Sequence, residues 1–399
     1  MTATAHRGAP AADAHHPPEP PEPAEVVELA RLHAGAQGIS RAAFDTVVGS
    51  IGSIGDAAGS IGDGGGWAAA WARVGDRKAA AGLPLDACRH HAMARWPYPA
   101  DPAGARSAIE CVRTFDIWRR RAGGIDRLDL DLPGGRVGCW TTGLDPAVDP
   151  PPGPSRPLVL VLGGIVSIKE QWAPLLTGMR RLGLPVVVTE LPSVGENTVR
   201  YGPAATDLIP QLLDRLGPHA CRRGVHVIGL SFGGHLALAA APDDPRIASI
   251  LTVGAPVHRL FADRALWPLL PRTTTATLEH LTGTRGADTP ALLSSMALSP
   301  DALGRVRIPV RYVASRRDEI VPRSEWELLA RHLPDLEWVE FDDVHGAPAH
   351  LADTRLWLVT RLLRQCGDRR AAVPGALLAL RGRAGRGGRT STRTVRNRS

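Results

Sequence analysis

The pattern Gly-Leu-Ser-Phe-Gly at residues 229–233 constrains the fold of this chain more than any other segment, because it directly follows an apolar run at residues 225–228. The run predicts a buried strand, and the alanine- and leucine-rich residues 234–240 predict a helix. Ser231 would then sit on a tight turn at the end of the strand, with its hydroxyl exposed. Gly229 and Gly233 occupy the positions where a larger side chain would clash with that turn. This five-residue pattern occurs easily by chance in a chain with 43 glycines, so the predicted strand before it and helix after it provide most of the support for the turn.

Two later segments supply an acid and a histidine. Residues 307–314 are rich in β-branched side chains and predict a late strand, and Asp318 lies in the loop behind it. Residues 336–341 predict the last strand, and His345 follows closely. The order serine, acid, histidine is typical of α/β-hydrolases, in which His345 would take the proton of Ser231 and Asp318 would orient the imidazole. We therefore predict a catalytic triad of Ser231, Asp318 and His345.

Other residues compete for two of these roles. Glu319 is the main alternative acid, since it is adjacent to Asp318, and Asp342 and Asp343 are further alternatives. Asp318 is favoured because it comes first after the strand. His350 is the alternative base, but it lies further along the chain, where the final helix is expected to begin.

An early strand supplies a further part of the predicted site. Residues 157–162 form a continuous apolar run, as expected of a strand buried on both faces, and Gly163 and Gly164 follow. Acyl-transfer enzymes with a strand–serine–helix turn bind the oxyanion with the backbone N–H after the serine and another from this early loop. The predicted oxyanion-hole donors are the backbone N–H groups of Ile165 and Phe232. A plain glycine turn at the end of the strand is the alternative interpretation.

Three segments resemble the FrsA-like hydrolases, a group that includes dihydropseudooxynicotine hydrolase and enzymes that shorten fungal-pigment polyketides. They are residues 163–172 (Gly-Gly-Ile-Val-Ser-Ile-Lys-Glu-Gln-Trp), residues 254–261 and residues 95–99. The resemblance extends over about residues 65–364. It implies an α/β-hydrolase fold and a small, possibly polyketide-like substrate. The chain departs from the family pattern at Val166, where an Asp is usual, and at residues 190–196, where an Asp-x-Pro-Gly-x-Gly-Glu pattern is expected.

The chain divides into four predicted zones. Residues 1–24 are expected to be a disordered Pro/Ala-rich leader, and residues 25–125 a helical N-terminal domain. Residues 126–364 alternate strands and helices, which predicts an α/β-hydrolase fold with a mainly parallel central sheet that opens on a hairpin. Residues 256–305 interrupt this pattern and are expected to form a helical insertion that, together with the N-terminal helices, covers the serine as a lid. Packing of these helices only on the edge of the sheet is the alternative. Residues 365–399 are expected to be a disordered Arg-rich tail.

Charge and composition limit the partners of the protein. The formal net charge is +7, and nine arginines against one aspartate lie after residue 365, so the predicted domains before it are close to neutral. The tail could contact nucleic acid or acidic lipid, but a glycine-spaced arginine run without aromatic residues is more often solvated. Five cysteines without paired spacing predict neither a disulfide framework nor a zinc site. No signal peptide and no membrane span are expected, which favours the cytoplasm. A homodimer is compatible with the sequence, but nothing in it fixes an oligomeric state.

The predicted chemistry needs no metal or organic cofactor, since serine, imidazole and backbone donors suffice for attack on a carbonyl. An ester, a thioester and the C–C bond of a β-diketone all remain open as the bond cleaved. A substrate hydroxyl could replace water, giving acyl transfer or cyclisation. A catalytically silent ligand-binding protein is the hypothesis of a different class, and the presence of all three triad residues argues against it.

Overall fold

The structure is a computed structural model that describes residues 23–59, 61, 66–144, 156–221, 223–384 and 391–396. The predicted leader therefore lies outside the described residues, apart from Pro23 and Ala24, which begin the first helix. None of the helices within these ranges is long and apolar enough to span a membrane.

Within the described residues, six helices precede the sheet: α1 (Pro23–Ala36), α2 (Arg41–Gly49), α3 (Ile54–Gly59), α4 (Gly66–Ala80), α5 (Pro84–Ala94) and α6 (Pro102–Ala122). Helix α6 begins where the Asp101 side chain accepts a hydrogen bond from the N–H of Gly104, and it ends at Gly123 with a positive φ of 68°. The helices bury an aromatic cluster of their own, made of Phe44, Trp67, Trp71 and Trp96. The N-terminal helices thus have a separate small core.

Nine strands in the described part of the chain form one sheet, in the order β1-β2-β4-β3-β5-β6-β7-β8-β9. Neighbours from β4 through β8 are parallel, whereas β1, β2 and β9 pair antiparallel with their neighbours. The predicted opening hairpin is confirmed, since Leu132 pairs with Gly135 at its turn. The strands are β1 (Asp126–Leu132), β2 (Gly135–Thr142), β3 (Leu158–Leu162), β4 (Val186–Thr189), β5 (Val225–Leu230), β6 (Ile247–Val253), β7 (Val310–Ser315), β8 (Asp335–Phe341) and β9 (Ser391–Arg396).

The remaining helices alternate with the strands or follow them. They are α7 (Ala173–Leu182), α8 (Leu208–Leu216), α9 (Pro218–Cys221), α10 (Phe232–Ala240), α11 (Arg259–Ala262), α12 (Arg272–Thr282), α13 (Asp288–Leu293), α14 (Pro300–Gly304), α15 (Arg323–His332), α16 (Leu351–Gln365) and α17 (Ala372–Ala384). Every residue of β3 is buried, as its continuous apolar run predicts. The strand order, the mainly parallel pairing and the helical segments confirm the predicted α/β-hydrolase fold.

The insertion predicted between residues 256 and 305 lies between β6 and β7 and contains α11, α12, α13 and α14. A buried carboxylate holds its first turn: Glu325 on α15 accepts hydrogen bonds from the backbone N–H groups of Val257, His258 and Leu260. The insertion is therefore attached to the helix that follows β7.

The tail differs from the sequence expectation over part of its length. Helix α17 packs against α16: a Cβ on Gly375 would lie 3.5 Å from Cγ2 of Thr360, and Arg381 pairs with Asp353. Strand β9 pairs antiparallel with β8. The expectation of disorder rested on the glycine-spaced arginines, but Leu378 packs against the main core, while Val373, Leu377 and Leu380 remain exposed. Residues 385–390 lie outside the described residues.

Candidate active site

The turn after β5 has the strained geometry that its glycines predict. Ser231 has φ 51° and ψ −122°, a conformation that non-glycine residues rarely adopt. A Cβ atom on Gly229 would lie 2.5 Å from the carbonyl oxygen of Gly233, and one on Gly233 would lie 2.6 Å from that of Gly163. Any side chain at either position would thus force the turn open. The strain is maintained by the surrounding backbone and presents the serine hydroxyl at the end of the strand.

The side chains of Ser231, His345 and Asp318 form one hydrogen-bonded chain. His345 Nε2 lies 2.9 Å from Ser231 Oγ, and His345 Nδ1 lies 2.9 Å from both carboxylate oxygens of Asp318. Asp318 also accepts hydrogen bonds from the backbone N–H groups of Ile320 and Val321, which fix its orientation. The carboxylate side chain is 3% exposed and the imidazole 15% exposed. Three residues that are far apart in the sequence therefore meet at the carboxyl ends of the parallel strands.

The alternative acids and the alternative base have other partners. Glu319 accepts a hydrogen bond from the backbone N–H of His345 and does not touch the imidazole ring. Asp342 pairs with Arg317, while Asp343 contacts the ring of His350 at 2.9 Å. The acid beside the His345 ring is therefore Asp318.

Burial and charge act in opposite directions on His345. Burial alone would lower the pKa of its imidazole, but the Asp318 carboxylate outweighs this effect, and the net pKa lies above the ordinary value of 6.5. Gly254, at the end of β6 with φ 58°, lies under the ring: a Cβ there would come within 2.8 Å of His345 Cε1. In the sequence, Gly254 stands out only through the family resemblance, because a single glycine after a strand carries no other signal.

The loop after β3 lies directly against the nucleophile turn. A Cβ on Gly164 would be 3.2 Å from the Cβ of Ser231, so the absence of a side chain lets the two backbones approach. Phe232 is the first residue of α10, and its N–H therefore has no acceptor within the helix. In the part of the chain that the structure describes, the N–H of Ile165 donates to no backbone carbonyl. The two predicted oxyanion donors thus flank Ser231.

A buried ion cluster supports this loop from behind. Lys169 Nζ lies 3.0 Å from Glu170 Oε1, 3.3 Å from Glu190 Oε2 and 2.6 Å from Glu196 Oε2, and Arg127 binds the same Glu196 carboxylate. Burial raises the pKa of Glu190 to about 7, although Lys169 opposes the rise and Glu170 adds to it. A Cβ on Gly195 would overlap the Glu190 carboxylate. In the sequence, these segments stand out only through the family resemblance, since their spacing does not show that three acids surround one lysine.

The N-terminal helices and the insertion meet at a pair of stacked rings. The ring of Tyr98, between α5 and α6, stacks on that of His280 in α12, with centroids 4.2 Å apart. Val166 packs against both the small N-terminal core and the main core. On α1, His33 lies near enough to the triad for the charge of His345 to affect it. Burial first, then His345 and Arg95, lower the pKa of His33 to about 4. His33 was missed by sequence analysis, because α1 and the triad are joined by no local pattern.

Four cysteine side chains that the structure describes, Cys88, Cys111, Cys139 and Cys366, are free thiols. Within the same described ranges, no group of three or more His, Cys, Asp or Glu side chains is arranged to hold a metal ion.

Comparison with solved structures gives several similar proteins. A structure of AbyA5 is 43% identical, covers 78% of this chain and 92% of its own, and superposes with a TM-score of 0.74. A structure of wild-type AbyA5 is 41% identical, with coverages of 90% and 99% and a TM-score of 0.81. A 2,6-dihydroxy-pseudo-oxynicotine hydrolase shares the fold at 20% identity, with coverages of 80% and 91% and a TM-score of 0.59. No protein-family model and no curated protein matches the chain.

Proposed function

This chain belongs to the α/β-hydrolase superfamily and is related to the FrsA-like hydrolases, and from that premise we propose that it is a serine hydrolase acting through Ser231, His345 and Asp318. The observation that carries the proposal is the unbroken hydrogen-bonded chain from Asp318 through His345 to Ser231 Oγ. The substrate is a small hydrophobic molecule, of the polyketide-like kind that the family resemblance implies. Its scissile group is an ester, a thioester or the C–C bond of a β-diketone.

In the proposed mechanism, the Ser231 hydroxyl donates its proton to His345 Nε2 as Oγ attacks the substrate carbonyl. The His345 imidazolium then donates that proton to the leaving group, and Asp318 keeps Nδ1–H oriented throughout. Water, activated by His345, releases the acyl group from Ser231. The raised pKa of His345 suits this role, because its conjugate acid forms readily during attack.

The developing oxyanion would accept hydrogen bonds from the backbone N–H groups of Ile165 and Phe232. Removing one such donor in a serine hydrolase costs about 100- to 1000-fold in kcat. The close approach of Gly164 to Ser231 supports this role, since it brings the loop within reach of a carbonyl bound at Oγ.

Labelling with a fluorophosphonate tests the proposal. Wild-type protein should be labelled and should hydrolyse a p-nitrophenyl ester, whereas Ser231→Ala should do neither while remaining folded. Ser294→Ala, which removes an exposed hydroxyl in the insertion, is the matched control and should behave as wild type. Labelling of Ser231→Ala, or none of wild type, would contradict the proposal. Labelling without release of free acid would point to acyl transfer to a substrate hydroxyl.

A further inference from the structure

Arg95, at the end of α5, is a buried cation without a counter-ion among the residues that the structure describes. The residue is only 3% exposed, and its Nη2 donates to the backbone carbonyl oxygens of Pro97 and Val166, the latter at 3.0 Å. Its Nε is buried and has no hydrogen-bond partner. No carboxylate in the described ranges lies within ion-pair distance of it.

The other lysine and arginine side chains that are buried in the described ranges are paired. Arg311, whose side chain is 8% exposed, lies 2.9 Å from Asp335 and 3.5 Å from Glu337, and fully buried Lys169 contacts three carboxylates. Burying an unpaired charge is costly, and natural proteins retain such groups where a ligand or a substrate completes them. The unpaired state of Arg95 therefore points to a missing anionic partner.

The position of Arg95 relates it to the active site. Val166, whose carbonyl it binds, follows the predicted oxyanion donor Ile165, and the same loop touches Ser231 at Gly164. The charges of His345 and of Arg95 both contribute to the lowered pKa of His33, so the His33 imidazole lies near both groups. The guanidinium is thus placed beside the loop that would hold the scissile carbonyl.

The rings near Arg95 are uncharged, and the carboxylates of Glu170 and Glu190 act on its guanidinium only from beyond ion-pair distance. The indole Nε1 of Trp96 is buried without a partner, and its ring centroid lies 5.4 Å from that of His33. Burial and then the charge of Arg95 lower the pKa of His280, and His33 is also neutral at neutral pH. Among the described residues, neutral rings surround Arg95 and no carboxylate contacts it directly, so a direct counter-ion would have to come from an oxyanion of the substrate.

We propose that Arg95 binds an anionic oxygen group of the substrate, a carboxylate or an enolate, located near the carbonyl that Ser231 attacks. The inference rests on the proposed serine hydrolase function and narrows its substrates to acidic molecules. A guanidinium donates in a planar fork to two oxygens, which fixes the orientation of such a group as well as its charge.

Ligand binding in Ser231→Ala protein tests this without any turnover. Calorimetry with octanoate and with octanamide compares the binding of an anion with that of a neutral molecule of nearly the same shape. Calorimetry with dimedone, an acidic 1,3-dione, and with cyclohexanone compares an enolate with a neutral ketone. Octanoate or dimedone should bind at least about tenfold more tightly than its neutral counterpart, as expected of a charge-assisted hydrogen bond. Preference for octanoate alone identifies a carboxylate site, and preference for dimedone alone an enolate site. Equal binding within both pairs would overturn the proposal.

Arg95→Met should remove this preference, lowering the affinity for the preferred anion about 10- to 100-fold with no change for its neutral counterpart. Arg95→Lys keeps the positive charge but lacks the planar pair of guanidinium donors, so it should retain part of the preference for the anion over its neutral counterpart. Arg106→Met, which removes an exposed arginine of α6 paired with Asp76, is the matched control and should leave it intact. Equal losses for anionic and neutral ligands in Arg95→Met would assign Arg95 a purely structural role and overturn the proposal. Fluorophosphonate labelling of wild type is measured separately. An inactive triad would abolish this labelling, whereas a missing anion site would abolish only the preference for anionic ligands.

Discussion

Replacing Lys169 by methionine should destabilise the protein strongly. The ammonium group is fully buried and contacts Glu170, Glu190 and Glu196 at 3.0, 3.3 and 2.6 Å. At an effective dielectric constant of about 20, each pair about 3 Å apart gains about 5 kcal/mol of gross attraction, most of which offsets the desolvation of both partners. Removing one partner of a buried pair typically costs about 3–5 kcal/mol, because the remaining charge stays buried. We expect a loss of this size for Lys169→Met.

The loss should grow with pH. The pKa of the Glu190 carboxyl is already raised from 4.5 to about 7, and without Lys169 it rises further. In the folded variant the Glu190 carboxyl then keeps a proton that the unfolded chain releases above about pH 4.5. Folding therefore becomes less favourable as the pH increases toward the pKa of the folded state. The free energy lost should therefore be smaller at pH 6 than at pH 8.

Urea unfolding monitored by tryptophan fluorescence at the two pH values measures the effect. Lys78→Met is the matched control, because Lys78 is the other lysine of the chain. Its side chain lies partly exposed in α4 and forms no ion pair within the described residues. It should change stability by less than about 0.5 kcal/mol. The double variant Lys169→Met/Glu190→Gln should recover part of the loss. A cost below about 1 kcal/mol for Lys169→Met, or no dependence on pH, would refute the argument.

Three further predictions concern the triad and its turn. Asp318→Asn should lower kcat about 10⁴-fold. Glu319→Gln loses only a contact to the backbone of His345 and should lower kcat far less. The reverse ranking would assign the orientation of the imidazole to Glu319 instead of Asp318. The pH profile of kcat/KM should rise through a pKa above 6.5, since neutral His345 is the proposed base, and this inflection should fall to lower pH in any residual activity of Asp318→Asn. Gly233→Ala should destabilise the protein by about 1–3 kcal/mol and abolish activity, because its Cβ would enter the backbone at 2.6 Å. Gly178→Ala in α7, where nothing lies within 4 Å, is its control and should leave stability unchanged or slightly raised.

The sequence was sufficient for the parts of the molecule that depend on local pattern. Parallel strands end at one edge of a sheet, so residues that follow β5, β7 and β8 must lie near one another. That rule, applied to Ser231, Asp318 and His345, predicts the proximity that the structure describes. The hairpin of β1 and β2 followed from alternation and a Pro-Gly-Gly turn.

Contacts between distant segments could not be predicted in this way. Arg95 and His33 reach the site because the N-terminal helices fold back onto the sheet, and no periodicity encodes that packing. The ordered parts of the tail escaped prediction for a different reason. Its charge pattern is typical of solvated segments, and pairing of β9 with β8 depends on an edge that only the folded sheet provides.

The pairing of β9 with β8 has a consequence for association between molecules. The edge of a sheet exposes unpaired N–H and C=O groups, which can accept a strand from another chain. Residues 391–396 occupy the β8 edge from within the same chain, in a segment that contains Arg393 and Arg396. Arginines on an outermost strand discourage further strand addition, because like charges would be brought together. Strand β9 thus covers the edge of the sheet that β8 would otherwise expose. A protein truncated before residue 385 should therefore self-associate more readily than the full chain.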